Sequence, residues 1–310
     1  MKKISVVIPM YNEEEVVKTS YLRIKEVLEE CKEYDYEMIF INDGSKDKTL
    51  KLLQEMAQEN KKVKILSLAR NFGHQAAVTA GIRYVTGDAI VIIDADLQDP
   101  PELLPEMLTL WEKGNEVIYG QRKIRKGESA FKLLTAKMFY HTLNVLSDVE
   151  IPKDTGDFRL VDRKVIDVIN SLPEHNKFLR GLFSWVGFKQ KAYPYERQER
   201  QAGKTKYPFK KMCKLASDGI ISFSTKPLKM VGGLGILTII LSIGILIYSI
   251  VSYLFNLNSL TPGWTSIMVA ITLFSGVQLL SIWIISEYIA RIYDETRNRP
   301  EYIIDKKINF

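Results

Sequence analysis

The stretch VIIDADLQDP, Val91–Pro100, runs three apolar residues into Asp94 and Asp96, then into Asp99 and a proline pair. Such an apolar run reads as a buried strand, and a strand that ends in carboxylates delivers them to one place. Asp-X-Asp supplies hard oxygen ligands suited to Mg²⁺ or Mn²⁺, which take one or two carboxylates and fill the remaining positions with water and substrate phosphates. A cation held there stabilises negative charge on a departing diphosphate. Taken alone, the pair also fits a solvated turn in which Pro101 opens a helix.

The segments that must position these carboxylates alternate in kind. Apolar runs at Ile4–Pro9, Tyr36–Ile41, Val63–Leu68 and Asp88–Ile93 read as strands. Amphipathic stretches at Glu13–Cys31, Lys46–Glu59 and Gln75–Tyr84 read as helices between them. Apolar strands alternating with amphipathic helices predict an α/β fold with a doubly wound, mostly parallel sheet. Ligands in such sheets bind beyond the C-terminal strand ends. Tyr11, Asn12 and Glu13 follow the first run, Asp43 the second and Asp94 and Asp96 the fourth, so all are expected in one crevice.

The ordered set VIPMYNEE, INDGSKDKT, RNFGHQAA and DADLQDPP, each at a strand end, resembles the family 2 glycosyltransferases of GT-A fold over residues 1–225. With the apolar C-terminal region, the chain is similar to their polyprenyl-phosphate branch, which includes bacterial undecaprenyl-phosphate glucosyltransferases and dolichol-phosphate mannosyltransferase. The resemblance implies that Pro9, Tyr11, Asn12, Glu13, Asp43 and Gln98 bind a nucleotide-sugar. It also implies that Asp94 and Asp96 hold Mg²⁺ or Mn²⁺ against the diphosphate, and that Asp96 is catalytic. TGDFR, Thr155–Arg159, resembles the segment that brings an acidic residue to the acceptor, which makes Asp157 the candidate base or positioner. Arg70, Gly73 and His74 lie where backbone and side chains could meet donor phosphates. The Gln-X-X-Arg-Trp signature of processive relatives is missing around Gln198–Ala202, in favour of single transfer.

A lipid phosphate near pH 7 is already mostly dianionic, because a second phosphate pKa lies near ~6. It needs alignment more than deprotonation. Arg122, Arg125, Arg200 and Lys204 are the expected acceptor-phosphate ligands, since arginine grips a phosphate bidentately.

The chain has 310 residues, 46% of them hydrophobic, and a net charge of +6. Between Met230 and Ser286 there is no Asp, Glu, Lys or Arg, while lysines and arginines flank that block on both sides. Cations beside an apolar block point to anionic lipid and away from nucleic acid. Met230–Phe255 and Trp264–Ser286 each exceed the ~20 residues that cross a bilayer, and NLNSLTPG separates them as a turn. The expected layout is a cytoplasmic catalytic domain over 1–202, an amphipathic interfacial segment over 203–228, a two-helix transmembrane hairpin over 229–290 and a tail over 291–310. The two spans are expected near 230–255 and 264–287. The positive-inside rule puts both termini in the cytoplasm of a multi-pass cell-membrane protein. Cys31 and Cys213 form neither a disulfide framework nor a zinc site. Gly232, Gly233, Gly235 and Gly244 permit close helix approach, so a homo-oligomer, by family resemblance a tetramer, is expected.

The reading is an inverting transfer from UDP-glucose or a related UDP-hexose to undecaprenyl phosphate, giving a polyprenyl monophosphosugar. The alternatives are a mannosyltransferase using GDP-mannose and a non-catalytic scaffold that binds nucleotide-sugars.

Overall fold

The computed structural model describes residues 1–123, 152, 155–175, 177–196, 224–255 and 263–310. The strands are β1 (Lys2–Met10), β2 (Tyr34–Asn42), β3 (Val63–Leu68), β4 (Ala89–Ile92), β5 (Val117–Arg122), β6 (Thr155–Asp162), β7 (Gln190–Tyr195) and β8 (Ile304–Ile308). Among the described residues, six α-helices lie around them: α1 (Val17–Glu30), α2 (Thr49–Glu59), α3 (His74–Arg83), α4 (Leu104–Glu112), α5 (Arg163–Ser171) and α6 (Leu179–Trp185). Two long helices follow, α7 (Lys226–Leu254) and α8 (Trp264–Arg297).

One sheet holds all eight strands in the order β7-β5-β6-β4-β1-β2-β3-β8. The β4-β1-β2-β3 half is parallel, as the alternating pattern predicts. The other half departs from it. β6 runs antiparallel between β4 and β5, and β8 runs antiparallel to β3, so the sheet is mixed. Alternation along each strand feeds two cores. Ile4, Val6, Ile8, Met38 and Phe40 pack with α1, α2 and α4, whereas Val7, Ile39 and Ile41 pack with α3, α5 and α6.

Pro9 sits inside β1, where a missing N–H would normally break a ladder. Val7 O accepts from Ile93 N, so residues of that parity face β4. The β1–β4 register ends at Val7↔Ile92, and Pro9 lies past it, paired in register only with Ile41 of β2. No ladder bond is lost. The helices start later than the apolar pattern suggests for α1, because Val16 N and Val17 N both donate to Glu13 O in a turn.

α7 and α8 touch each other and expose much of their apolar surface, including Ile236, Ile240, Leu279 and Trp283. Among the described residues, one helical segment, Leu273–Arg297, is long and apolar enough to cross a membrane. The expected turn, most of the interfacial segment, Arg125, Arg200 and Lys204 lie outside the described residues. The second helix continues to Arg297, past the apolar block, and the expected tail supplies β8.

Candidate functional site

The C-terminal ends of β1, β2, β3 and β4 converge on one side of the sheet, and hydrogen bonds stitch their loops together. Asn12 takes a positive φ of 51° and accepts from Lys46 N at 2.8 Å through Oδ1, while its own N–H donates to Ser45 Oγ at 3.0 Å. Glu13 N donates to Thr49 Oγ1 at 2.9 Å. Tyr11 is half-buried beside them. Asp43 is 3% exposed and turns its carboxylate to the next loop, accepting from Phe72 N at 2.7 Å and Gly73 N at 3.0 Å. Burial pushes its pKa up against those two bonds. At Gly44, φ is +65° and a Cβ would lie 2.4 Å from Arg70 C, so only glycine lets the β2 and β3 ends approach this closely. Of the residues assigned to donor binding, Pro9 is thus a buried strand residue, and Asn12 and Asp43 also shape the loops.

β4 ends by presenting Asp94 and Asp96, both half-buried. Gln98 N donates to Asp96 Oδ1 at 3.2 Å. Between them the fully buried Leu97 takes a φ of 55°, costly for a branched side chain and typical of functional turns. Asp99 is buried and accepts from the Tyr195 hydroxyl. Arg122 closes β5, with Nη2 3.8 Å from Asp99 Oδ1 and Nε 3.5 Å from the Tyr195 oxygen. The guanidinium is also close to Gly156, where a Cβ would lie 2.7 Å from Nη2.

Asp157, on β6, is 8% exposed and sits among cations. Arg180 donates through Nε to Oδ1 at 2.8 Å and through Nη2 to Oδ2 at 2.9 Å. His74 Nε2 lies 3.1 Å from the same Oδ2 and 3.6 Å from Asp94 Oδ1. Arg159 lies behind, bonded to the carbonyls of Gly156 and Asp157 and stacked 4.4 Å from the Phe183 ring centroid.

Burial would raise the Asp157 pKa, but Arg180 and His74 overcome it and hold the carboxyl well below its usual range. For His74, burial acts downward, and the charges of Asp94 and Asp157 push the imidazole up to about 9. Asp94 is pushed up to about 6 by burial, with Asp157, Asp99 and Asp96 adding and His74 opposing. A carboxylate so surrounded by like charge favours a cation beside it.

Asp94, Asp96, Gln98, Asp157 and Arg122 lie together at these strand ends. Arg180 and Tyr195 are the additions. Neither carried a signal in the sequence, because their partners come from other segments. Among the described residues, no group of three or more His, Cys, Asp or Glu could hold a metal by itself. Two neighbouring strand-end carboxylates, with Asp99 and Asp157 also acting on Asp94, do fit a hard divalent ion that takes its other ligands from water and phosphate.

Residues 5–169 match the model of glycosyl transferase family 2. The chain is 54% identical over 303 residues to the uncharacterized glycosyltransferase YkcC of Bacillus subtilis, covering 97% of this chain and 93% of the relative. It is 40% identical over 304 residues to the SfII prophage-derived bactoprenol glucosyl transferase of Shigella flexneri, covering 98% of each. The fold is shared with crystalline glucosyl-3-phosphoglycerate synthase from Mycobacterium tuberculosis in complex with Mn²⁺, UDP and phosphoglyceric acid. That likeness has a TM-score of 0.50 at 18% identity and covers 71% of this chain and 76% of the other. The strand-end acids thus sit in a recognised frame: the chain belongs to glycosyl transferase family 2 and is a glycosyltransferase.

Proposed function

We propose that the protein moves a hexose, with inversion, from a UDP-sugar to polyprenyl phosphate and releases a polyprenyl monophosphosugar and UDP. The observation that carries this reading is the match to a bactoprenol glucosyl transferase over 98% of the chain, long helices included. The crystalline neighbour's complex with Mn²⁺ and UDP is in keeping with a UDP-sugar and a divalent metal.

Asp94 and Asp96 would hold Mg²⁺ or Mn²⁺, which when bound offsets charge on the diphosphate oxygens. Tyr11, Asn12, Glu13, Asp43 and Gln98 surround the nucleotide-sugar in this reading. Arg122, held by Asp99 and Tyr195, orients the acceptor phosphate; Arg125, Arg200 and Lys204, outside the described residues, are further candidates for that role. That phosphate attacks the anomeric carbon without needing a proton acceptor. Asp157, already gripped by Arg180 and His74, therefore serves as an anchor and not as a base.

Lys226 and Lys229 lie in the first turn of α7, before its apolar part, and Arg291, Arg297 and Arg299 follow the apolar part of α8. On this reading both helices cross the cell membrane as a hairpin, with the sheet and both termini in the cytoplasm. Among the described residues, nothing beyond the helix's own backbone and adjacent residues lies within 4 Å of a Cβ built at Gly232, Gly233 or Gly235, which suits close helix contact in a homo-oligomer.

The test is transfer by purified protein in detergent with undecaprenyl phosphate, Mg²⁺ or Mn²⁺, and one labelled donor at a time. UDP-glucose, other UDP-hexoses and GDP-mannose form the series. Label entering the organic phase from a UDP-sugar, and stopped by EDTA, is the expected result. Transfer from GDP-mannose alone would replace the donor assignment, and tight nucleotide binding with no transfer from any donor would sink the reaction.

A further inference from the structure

We propose that Arg180 is a positioning residue for sugar transfer: its guanidinium fork sets the Asp157 carboxylate and, through it, the His74 imidazole against Asp94. The proposal rests on the reading that these strand ends form the transfer site. Arg180 opens α6, while His74 opens α3 on a different segment of chain. Both meet on Asp157 Oδ2, at 2.9 Å from Arg180 Nη2 and 3.1 Å from His74 Nε2. The neighbouring residues close the circuit, since Leu179 N donates to Gln75 Oε1 at 3.1 Å. Thus α3, β6 and α6 form a ring: His74 to Asp157, Asp157 to Arg180, Leu179 back to Gln75.

Two features separate this from an ordinary buried ion pair. Such pairs contribute little net stability, because desolvation offsets their attraction. Here the pair lies at the strand ends, and the group it steadies is 3.6 Å from Asp94 Oδ1, a carboxylate assigned to the donor diphosphate's cation. Moreover, the contact uses both arms of the guanidinium on both carboxylate oxygens, a geometry that fixes the plane of the acid. Lysine keeps the charge and loses the plane. With a single ammonium nitrogen in place of the two-nitrogen fork, the carboxylate can rotate about its Cβ–Cγ bond, and His74 loses its fixed acceptor.

The experiment compares wild type, Arg180→Lys, Arg180→Met and Gln75→Leu as full chains in detergent. Arg180→Lys should lower kcat about tenfold and Arg180→Met about a hundredfold, with the donor KM changed less than about threefold, as misplacement within a formed site does. A second readout needs no acceptor: the Nε2 resonance of His74, among three histidines, should move in Arg180→Lys. Should Arg180→Met not fold, Gln75→Leu, which removes no charge, should still lower kcat about threefold and shift the same resonance. A wild-type kcat in Arg180→Lys with an unmoved His74 signal would overturn the proposal. So would a lower melting temperature with kcat per folded molecule unchanged. If wild type transfers no sugar to polyprenyl phosphate, the acceptor assignment falls, and the His74 resonance alone decides for or against the role of Arg180.

Discussion

At the start of the parallel strands, Glu37 is 1% exposed and fully surrounded by donors. It accepts from Ser5 Oγ at 2.6 Å, Thr86 N at 2.7 Å and Lys3 Nζ at 3.0 Å, and Lys64 Nζ lies 2.8 Å away. Burial raises its pKa, but Lys64, Ser5, Thr86 and Lys3 bring it down to about 2. At the opposite ends of the strands, Asp94 is driven up to about 6, with three further acids adding to the effect of burial. The same sheet thus completes one carboxylate with its own cations and crowds the other, Asp94, with further acids that His74 only partly offsets. The first arrangement stabilises the fold at rest. On the proposed function, the second gains its compensation when the donor's cation binds, as an active site keeps charge available for a reacting group.

The largest effect that would sharpen this contrast is on turnover. Asp96→Asn and Asp94→Asn should each lower the transfer rate by on the order of 10²- to 10³-fold, because charge developing on the diphosphate loses its counter-charge. Both variants should melt at or above the wild-type temperature, since removing one of several crowded acids relieves repulsion. Initial rates beside thermal melts check this. A rate within about threefold of wild type would place the chemistry elsewhere.

At the other end the signs reverse. Glu37→Gln leaves Lys3 and Lys64 facing a neutral amide, and should destabilise the domain by about 2–3 kcal/mol while turnover per folded molecule stays unchanged. The pH dependence follows from the depressed pKa. Its stabilisation is fully present above the ordinary carboxylate range near ~4.3 and is lost as pH falls through about 2. Denaturant melts of wild type and variant should therefore differ by a constant amount from neutral pH down to about 5 and converge between about 4 and 2. A gap that stays constant through pH 2 would show that the ionised carboxylate is not the stabilising species.

The two ends also differ in how readily the sequence discloses them. Val63–Leu68 is legible to the residue, because Val63, Ile65, Leu66 and Leu68 are apolar and buried between turn residues, although Lys64 and Ser67 interrupt the run. Asp94 and Asp96 stand out because acids are conspicuous after such a run. Glu37, by contrast, sits inside YEMIFI, where one acid reads as a solvent-facing position. Its burial depends on Lys3, Ser5, Lys64 and Thr86, which come from three other segments. Arg180 was hidden for the same reason: its partner Asp157, and the His74 that shares that carboxylate, come from other segments of the chain. β8 was hidden by composition. IDKKI looks like a charged tail, and lysines are what an edge strand carries to discourage further pairing.

That edge strand supplies the smallest effect and the finest test. After β8, Asn309 donates through Nδ2 to Ala57 O at 2.7 Å and Val63 O at 2.8 Å, closing the sheet at the end where β3 begins. Its φ of 63° is one that asparagine tolerates better than alanine. Asn309→Ala should lower stability by about 1–2 kcal/mol, part from the bonds and part from the backbone. Asn309→Gly loses the same bonds but accepts the φ, so a smaller loss there would isolate the backbone share. Neither change should alter kcat, because both lie at the self-compensated end. A kcat that falls in both variants while the melting temperature holds would mean that the two ends of the sheet are coupled, and the division between a structural end and a reactive end would have to be abandoned.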